Sequence, residues 1–325
     1  RGHHELFLAY DGKEQCGRIC VGIDEELNAK KGIKNGYITL FECVENYEAA
    51  SVLFDTAADW LRTLGITTMK GPVSPTDGDD YRGVLIDCFD RPPVLMNSYN
   101  PPYYADFFEK YGFRKHLDYY AYYYDVAAMD TEKIGKVVEY ACKKNNFRVD
   151  FLDTRNMDRE IRDIKQVLDI AMPEEWPDLV PPSLEEVEKM GRKLVKLADP
   201  ELVGIARTEG DNRPIGFAVA MPNYNQVLKH MNGRLFPFGF IKFLWYRRKI
   251  NSGRFFIMFV VPEFRKKGVS HAIYYRIFQS ALKKGYLWGE GSAIGEENVY
   301  MRRDAESMGG KIYKTYRIYE INLRK

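Results

Sequence analysis

The sequence predicts a mixed α/β (α+β) protein made of two tandem domains in which strands and helices succeed one another in the same order. Three observations carry this prediction. The 325 residues exceed what one hydrophobic core usually organises. A succession of hairpin, strand, long helix, strand, short helix and tyrosine-rich strand occurs once in each half. Glycines also recur in step: Gly17 and Gly216 are 199 residues apart, Gly112 and Gly309 are 197 apart.

Each element follows from local pattern. Glu5–Tyr10 and Gly17–Ile23 read as strands about the turn Asp11-Gly12-Lys13. Leu202–Thr208 and Pro214–Met221 do so about Glu209-Gly210-Asp211-Asn212. A stronger strand follows in each half, Tyr37–Glu42 and Phe255–Val261. Amphipathic helices come next, Ala49–Leu64 and Ser270–Lys284, stopped by Gly65 and Gly285. After a further strand, Ala105–Tyr111 and Val299–Met308 read as short helices closed by Gly112 and Gly309. Tyr119–Tyr124 and Tyr313–Asn322 end the halves as tyrosine-rich strands.

Gly65 and Gly285 are out of step, 220 apart. Two insertions restore register: roughly Asn225–Gly253 in the second half and Ser74–Pro102 in the first. The second half also has a lead-in that the first lacks. Phe147–Leu152 reads as a strand, and Asp158–Ala171 and Ser183–Leu197 as helices, the latter opened by a capping box at Ser183 to Glu186. Thr131–Lys144 reads as a helical linker. The domain border is therefore expected near Ala128, giving domains 1–128 and 129–325. The first strand begins almost at Arg1, with no methionine before it, so a first domain cut short at its start is expected.

Composition narrows the function. Hydrophobic residues are 45% and charged residues 29%, as in ordinary globular proteins. A net charge of +2 gives no reason to expect nucleic-acid binding. The five cysteines, Cys16, Cys20, Cys43, Cys88 and Cys142, form no CxxC pair and no cluster with zinc spacing. Reduced thiols, a cytoplasmic setting and no metal are expected. No run reaches the roughly 18 apolar residues of a membrane-spanning helix, and no signal peptide is visible.

The segment Phe256 to Ser270 carries the chemistry. An apolar strand ends Val260-Val261-Pro262, turns through Arg265-Lys266-Lys267-Gly268, and runs directly into a helix at Val269-Ser270. A helix start presents unpaired amides and the positive end of its dipole. A glycine lets backbone approach a ligand closely, so such a turn suits phosphate. The alternative is a basic, solvated helix start.

This pattern resembles the GNAT acyltransferase superfamily, whose acyl-CoA loop reads Arg/Gln-x-x-Gly-x-Gly/Ala after a strand ending Val-x-Pro. Arg265, Gly268 and Ser270 fill those places, serine being a small departure. The chain is similar to bacterial proteins with two such domains, through Gly71-Pro72-Val73-Ser74-Pro75, Tyr99-Asn100-Pro101-Pro102-Tyr103-Tyr104, Glu290-x-Ser292 to Asn298, and Lys314 to Tyr319. The resemblance implies two mixed sheets, each with two central parallel strands that splay apart around the cofactor arm. It implies acetyl-CoA or another acyl-CoA as cofactor, held by Phe259, Val260, Val261, Arg265, Lys266, Lys267, Gly268, Val269, Ser270 and Asn298.

The resemblance further implies direct attack of an amine on the thioester, with an amide on the central strand polarising the carbonyl and a carboxylate accepting the amine proton. Glu290 is the candidate base; its alternative is a strand carboxylate paired to a lysine. Ser292 could position the substrate or the pantetheine arm, or be an ordinary strand hydroxyl. Asn298 could contact the cofactor or cap the next helix. The family's tyrosine acid has no counterpart, since Ala305 and Phe108 stand four residues before the closing glycines; Tyr300 is the substitute considered. Tyr99, Asn100 and Tyr103 either line a substrate pocket or pack as a hydrogen-bonded loop.

In the first half, Glu45 and Glu48 stand where phosphate would bind, so no acyl-CoA is expected there. The expected activity is N-acyl transfer to a small amine or amino-acid-like acceptor. The alternatives are an acyl-CoA-binding scaffold and an aminoacyl-tRNA-dependent transferase, the basic glycine loop arguing against the latter. The insertion from Leu235 to Lys249 is apolar, then basic, and is expected to pack as a helix on the sheet rather than meet a membrane surface or form a lid or dimer contact.

Overall fold

A computed structural model of the chain describes residues 2–74, 82–175, 181–195, 197–234 and 236–323. Pro75, Lys196 and Leu235, which belong to segments read above, lie outside the described residues.

Cα packing divides the chain into two units. One holds the residues up to Tyr120 together with those from Tyr313 on; the other is Ala121–Ile312. The expected border at Ala128 differs from this division, and the last strand packs with the first unit rather than the second. Period-two alternation marks a strand but not the sheet it joins.

In chain order the elements of the first unit are β1 (His4–Asp11), β2 (Glu14–Ile23), α1 (Glu25–Lys31), β3 (Asn35–Cys43), α2 (Tyr47–Thr63), β4 (Thr68–Gly71), β5 (Val84–Leu85), α3 (Tyr103–Tyr111) and β6 (Arg114–Asp125), which passes into the second unit at Ala121. The second unit contains α4 (Thr131–Asn145), β7 (Phe147–Phe151), α5 (Met157–Glu175), α6 (Leu184–Leu194), β8 (Val203–Thr208), β9 (Pro214–Pro222), α7 (Asn225–Leu228), α8 (Gly239–Tyr246), β10 (Ser252–Val260), α9 (Val269–Lys283), β11 (Trp288–Gly295) and α10 (Val299–Ser307). Strand β12 (Lys311–Asn322) returns to the first unit.

In the first unit β1, β2 and β3 are antiparallel neighbours. Strand β3 is parallel to β4 only over Asn35–Tyr37 against Thr68–Lys70. Strand β4 in turn pairs antiparallel with β12, Gly71 facing Tyr319. Helix α2 buries Ala50, Leu53, Phe54, Ala57, Ala58 and Leu61, one stripe of a 3.6-residue period. Helix α1 escaped the sequence reading because it buries no residue and so has no apolar stripe; Asp24 caps its start and Gly32, at φ 64°, its end.

In the second unit β7, β8, β9 and β10 are successive antiparallel neighbours, and β11 joins β10 in parallel. The β10–β11 register covers only Ser252–Phe255 against Trp288–Gly291. Beyond it β10 runs on to Val260 and β11 to Gly295. The two strands therefore part, as expected, after Phe255 and Gly291. A register shift against β9 between Phe255 and Ile257 marks a bulge at the same place. Helix α9 covers one face through Ala272, Ile273, Ile277, Phe278 and Ala281. The capping box at Ser183 is present.

The insertion before β10 departs from its expected packing. Of α8 only Gly239 is buried, so this helix is not folded onto the sheet.

Candidate functional site

The second unit brings a basic turn, a helix start and the mouth of the splay together. After Val260 a short turn of 3-10 helix, Pro262–Phe264, leads to Arg265; Lys266 and Gly268 then take positive φ, 62° and 83°. That path delivers the chain into α9 without a capping side chain. Among the described residues, the amides of Gly268, Val269, Ser270 and His271 have no backbone acceptor. Lys266 and Lys267 are exposed beside them. A 15-residue helix thus begins on four consecutive free N–H groups flanked by cations, which is an anion-binding arrangement.

The first unit closes the same position on itself. There the Asn46 side chain accepts from the amides of Glu48, at 2.9 Å, and Ala49, at 3.3 Å. At the end of β3 the Tyr104 hydroxyl accepts from the Cys43 amide at 2.9 Å, and the Tyr103 hydroxyl donates to the Cys43 carbonyl at 3.0 Å. Tyr104 also packs edge-on against Phe41. The Cys43, Glu48 and Ala49 amides are thus already bonded within the unit.

The loop of the second unit is braced from behind. A Cβ on Gly268 would lie 2.7 Å from the Ala141 Cβ of α4, and Asn145 Nδ2 donates to the Lys267 carbonyl at 3.0 Å. Arg265 turns back, its Nε donating to the Val260 carbonyl at 3.3 Å. The Ser270 hydroxyl donates to Asp304 Oδ2 at 2.6 Å, which leaves its amide as its possible contact with phosphate. His271 Nε2 lies 2.8 Å from the Ser307 hydroxyl. Val269 is buried and anchors the first turn.

The strand amide expected to polarise a carbonyl can be narrowed. The Val261 amide donates to Ile215 on the β9 side at 3.0 Å. Alternation along the pair Phe259–Phe217 and Val260–Gly216 sends the Phe259 amide the same way and the Val260 amide toward β11. Val260 is therefore the donor available in the splay, and Phe259 and Val261 are not.

Where β10 and β11 part, a buried polar group forms. Arg254 stands opposite Glu290 in the register. The Ser292 hydroxyl donates to Glu290 Oε1, Arg254 Nε donates to the Ser292 hydroxyl at 3.1 Å, and Arg254 Nη2 donates to the Ser292 carbonyl at 3.0 Å. All three are almost fully buried. The two sequence candidates Glu290 and Ser292 are thus brought together; Arg254 was missed, because an arginine in an apolar strand carries no motif.

On the other face, Tyr124 meets Gly291, whose Cβ would approach its ring to 3.0 Å. Tyr124 packs with Phe255, Tyr274 and Phe278. Burial pushes both phenols up, Tyr274 to about 12.

The remaining expectations resolve differently. Tyr300 is exposed, with Lys266 Nζ 5.0 Å above its ring, so it stands at the loop. Asn298 caps α10, accepting from the Met301 amide at 3.0 Å. Asn100 is buried, bonded to both the amide and the carbonyl of Leu85 and to Pro101. With Tyr103 on Cys43 and the exposed Tyr99 reaching Phe89, this cluster matches the packed-loop alternative. Among the described residues no group of His, Cys, Asp and Glu could hold a metal, and no helix is long and apolar enough to cross a membrane.

No family model matches the chain. The bacterial ceramide synthase of Caulobacter vibrioides is 29% identical over 97% of this chain and 83% of its own length. Protein YghO of Escherichia coli is 28% identical over 97% of this chain and 81% of its own. Among solved structures, a tandem GNAT protein from the clavulanic acid biosynthesis pathway aligns with a TM-score of 0.58 at 10% identity, over 100% of this chain and 84% of that one. A GCN5-related N-acetyltransferase from Sphaerobacter thermophilus aligns with a TM-score of 0.56 at 11% identity, over 96% and 78%. What these solved structures share with the chain is the fold.

Proposed function

We propose that this chain, which carries the GNAT fold twice in tandem, is an acyl-CoA-dependent N-acyltransferase with its working site in the second unit. The observation that carries the reading is the uncapped start of α9, set at the mouth of a splayed strand pair and absent from the first unit.

The residues fit an acyl-CoA. The amides of Gly268 to His271, with Lys266 and Lys267, would hold the diphosphate. The Val260 amide would bond the thioester carbonyl. Acyl-CoA supplies an activated acyl group when bound. The chain's own residues orient the acceptor amine and receive its proton, for which Glu290, linked to Ser292 and Arg254 where the strands part, is the proposed base. The amine nitrogen forms the new bond to the acyl carbon as the carbon–sulfur bond breaks. Tyr124, packed against Gly291, or Tyr274, packed against Phe255, would return a proton to sulfur.

The acceptor is a primary amine. The name of the Caulobacter relative favours one bearing a long alkyl chain, since a ceramide is an N-acylated long-chain amino alcohol. Thermal denaturation with CoA, acetyl-CoA and palmitoyl-CoA tests the binding step. Free-thiol release with sphinganine and with small amines tests the transfer. Stabilisation by none of the three CoA species sinks the proposal. Stabilisation without thiol release from any amine leaves a binding protein instead.

A further inference from the structure

We propose that the insertion between β9 and β10 is a docking surface for an anionic lipid bilayer. Helix α8 carries its apolar side chains outward. Phe240, Ile241, Leu244 and Trp245 are all exposed, and so are Phe236 and Phe238 just before them; Phe236 is 81% exposed and Trp245 64%. The inward face is fixed by stacking of Phe243 on Tyr224 and Tyr246 on His230. A helix of a globular protein normally turns its apolar stripe inward. Here a held face sits behind a free aromatic one.

Charge identifies the occupant. Lys229, Arg234, Lys242, Arg247, Arg248 and Lys249 are exposed in the same segment. None of the six is paired with a carboxylate among the described residues. No Asp or Glu occurs anywhere between Asp211 and Glu263. Aromatic side chains with a cationic rim match the interface of a bilayer, where rings reach the acyl boundary and Lys and Arg meet phosphate headgroups. A second copy of this surface fits poorly, because a two-fold pair would set six cations against six. An acidic protein or a nucleic acid would leave the phenylalanines unburied.

The surface lies at the other end of β10 from the cofactor loop. Ser252, beside the insertion, and Val260, before the loop, are roughly 26 Å apart along an extended strand. Docking would leave the charged loop in water. The inference stands whether or not the chain transfers acyl groups.

Co-sedimentation with vesicles of phosphatidylglycerol and phosphatidylcholine, and of phosphatidylcholine alone, tests it. The parent protein is expected to bind the anionic vesicles and to lose about tenfold or more of that affinity in Arg247→Glu/Arg248→Glu/Lys249→Glu. Phe238→Ser/Trp245→Ser is expected to lose binding as well. Bromolipids should quench the parent's fluorescence more than that of Trp245→Phe, a measurement that needs no folding assumption about the harsher variants. Stabilisation by CoA should survive in all three. Equal binding to neutral vesicles, an unaffected aromatic variant, equal quenching, or self-association in place of vesicle binding would each overturn the proposal.

Discussion

Replacing Gly268 by alanine tests whether the loop is held as described. Gly268 sits at φ 83°, and an added Cβ would lie 2.7 Å from the Ala141 Cβ. The left-handed backbone costs an ordinary residue about 1–2 kcal/mol, and the methyl overlap adds about 1–3 kcal/mol. Gly268→Ala should therefore lower stability by roughly 2–5 kcal/mol, taking these together. Ala141→Gly alone should cost about 1 kcal/mol, as a helical glycine does. In the double variant the overlap disappears while the backbone term stays. The double should then be more stable than the sum of the singles by that overlap, about 1–3 kcal/mol.

Urea denaturation of the four proteins by circular dichroism measures this coupling. Calorimetric titration with CoA measures its functional side: affinity should fall about tenfold or more in Gly268→Ala, as displaced amides lose a charged acceptor, and recover in part in the double. Strict additivity of the stability changes would refute the packing of α4 against the loop. A CoA affinity indifferent to Gly268→Ala would refute the role of the α9 amides.

Other outcomes follow from the same geometry. Lys266→Glu/Lys267→Glu changes two exposed side chains, so stability should shift by less than about 0.5 kcal/mol per site while CoA affinity drops about tenfold; unchanged titrations at low and high salt would refute this. Tyr104→Phe removes the acceptor of the Cys43 amide, 2.9 Å away in a buried setting, and should destabilise the first unit by about 1–3 kcal/mol without altering CoA binding; an unshifted melting curve would contradict it. For Asp118, burial raises the carboxyl's pKa, but Arg317 and Lys115 outweigh burial and hold it below its ordinary value. Its folded pKa is thus lower than its unfolded one, and its contribution is present above the ordinary carboxylate range and lost on acidification. Asp118→Asn should lose stability at pH 7, and the gap to the parent should narrow toward pH 3; a gap constant with pH would count against the ion pair.

The fold was readable wherever an element buries apolar side chains. Helix α2 announces itself by period, strands β9 and β10, buried on both faces, by continuous apolar runs, and Gly112 and Gly309 mark helix ends because each takes a positive φ there. Helix α1 was silent for want of a buried face. The loop was legible because a glycine and three cations before a helix have few other uses. Its brace was not: Ala141 and Asn145 are one turn apart on a helix more than a hundred residues away, and only tertiary packing gives them meaning. Arg254 is similar, since its partner in register lies on another strand. The insertion before β10 misled, because apolar composition usually signals burial and here accompanies exposure.

One consequence concerns synthesis on the ribosome. Strand β12 pairs with β4 in the first unit through Tyr319–Asn322, yet those residues are translated only after all 192 residues of Ala121–Ile312. At ordinary elongation rates that is a delay of roughly ten to forty seconds, during which the edge of β4 has no β12 to cover it. The nascent second unit can close before the first is complete. Expressing residues 1–128 alone would make that interval permanent.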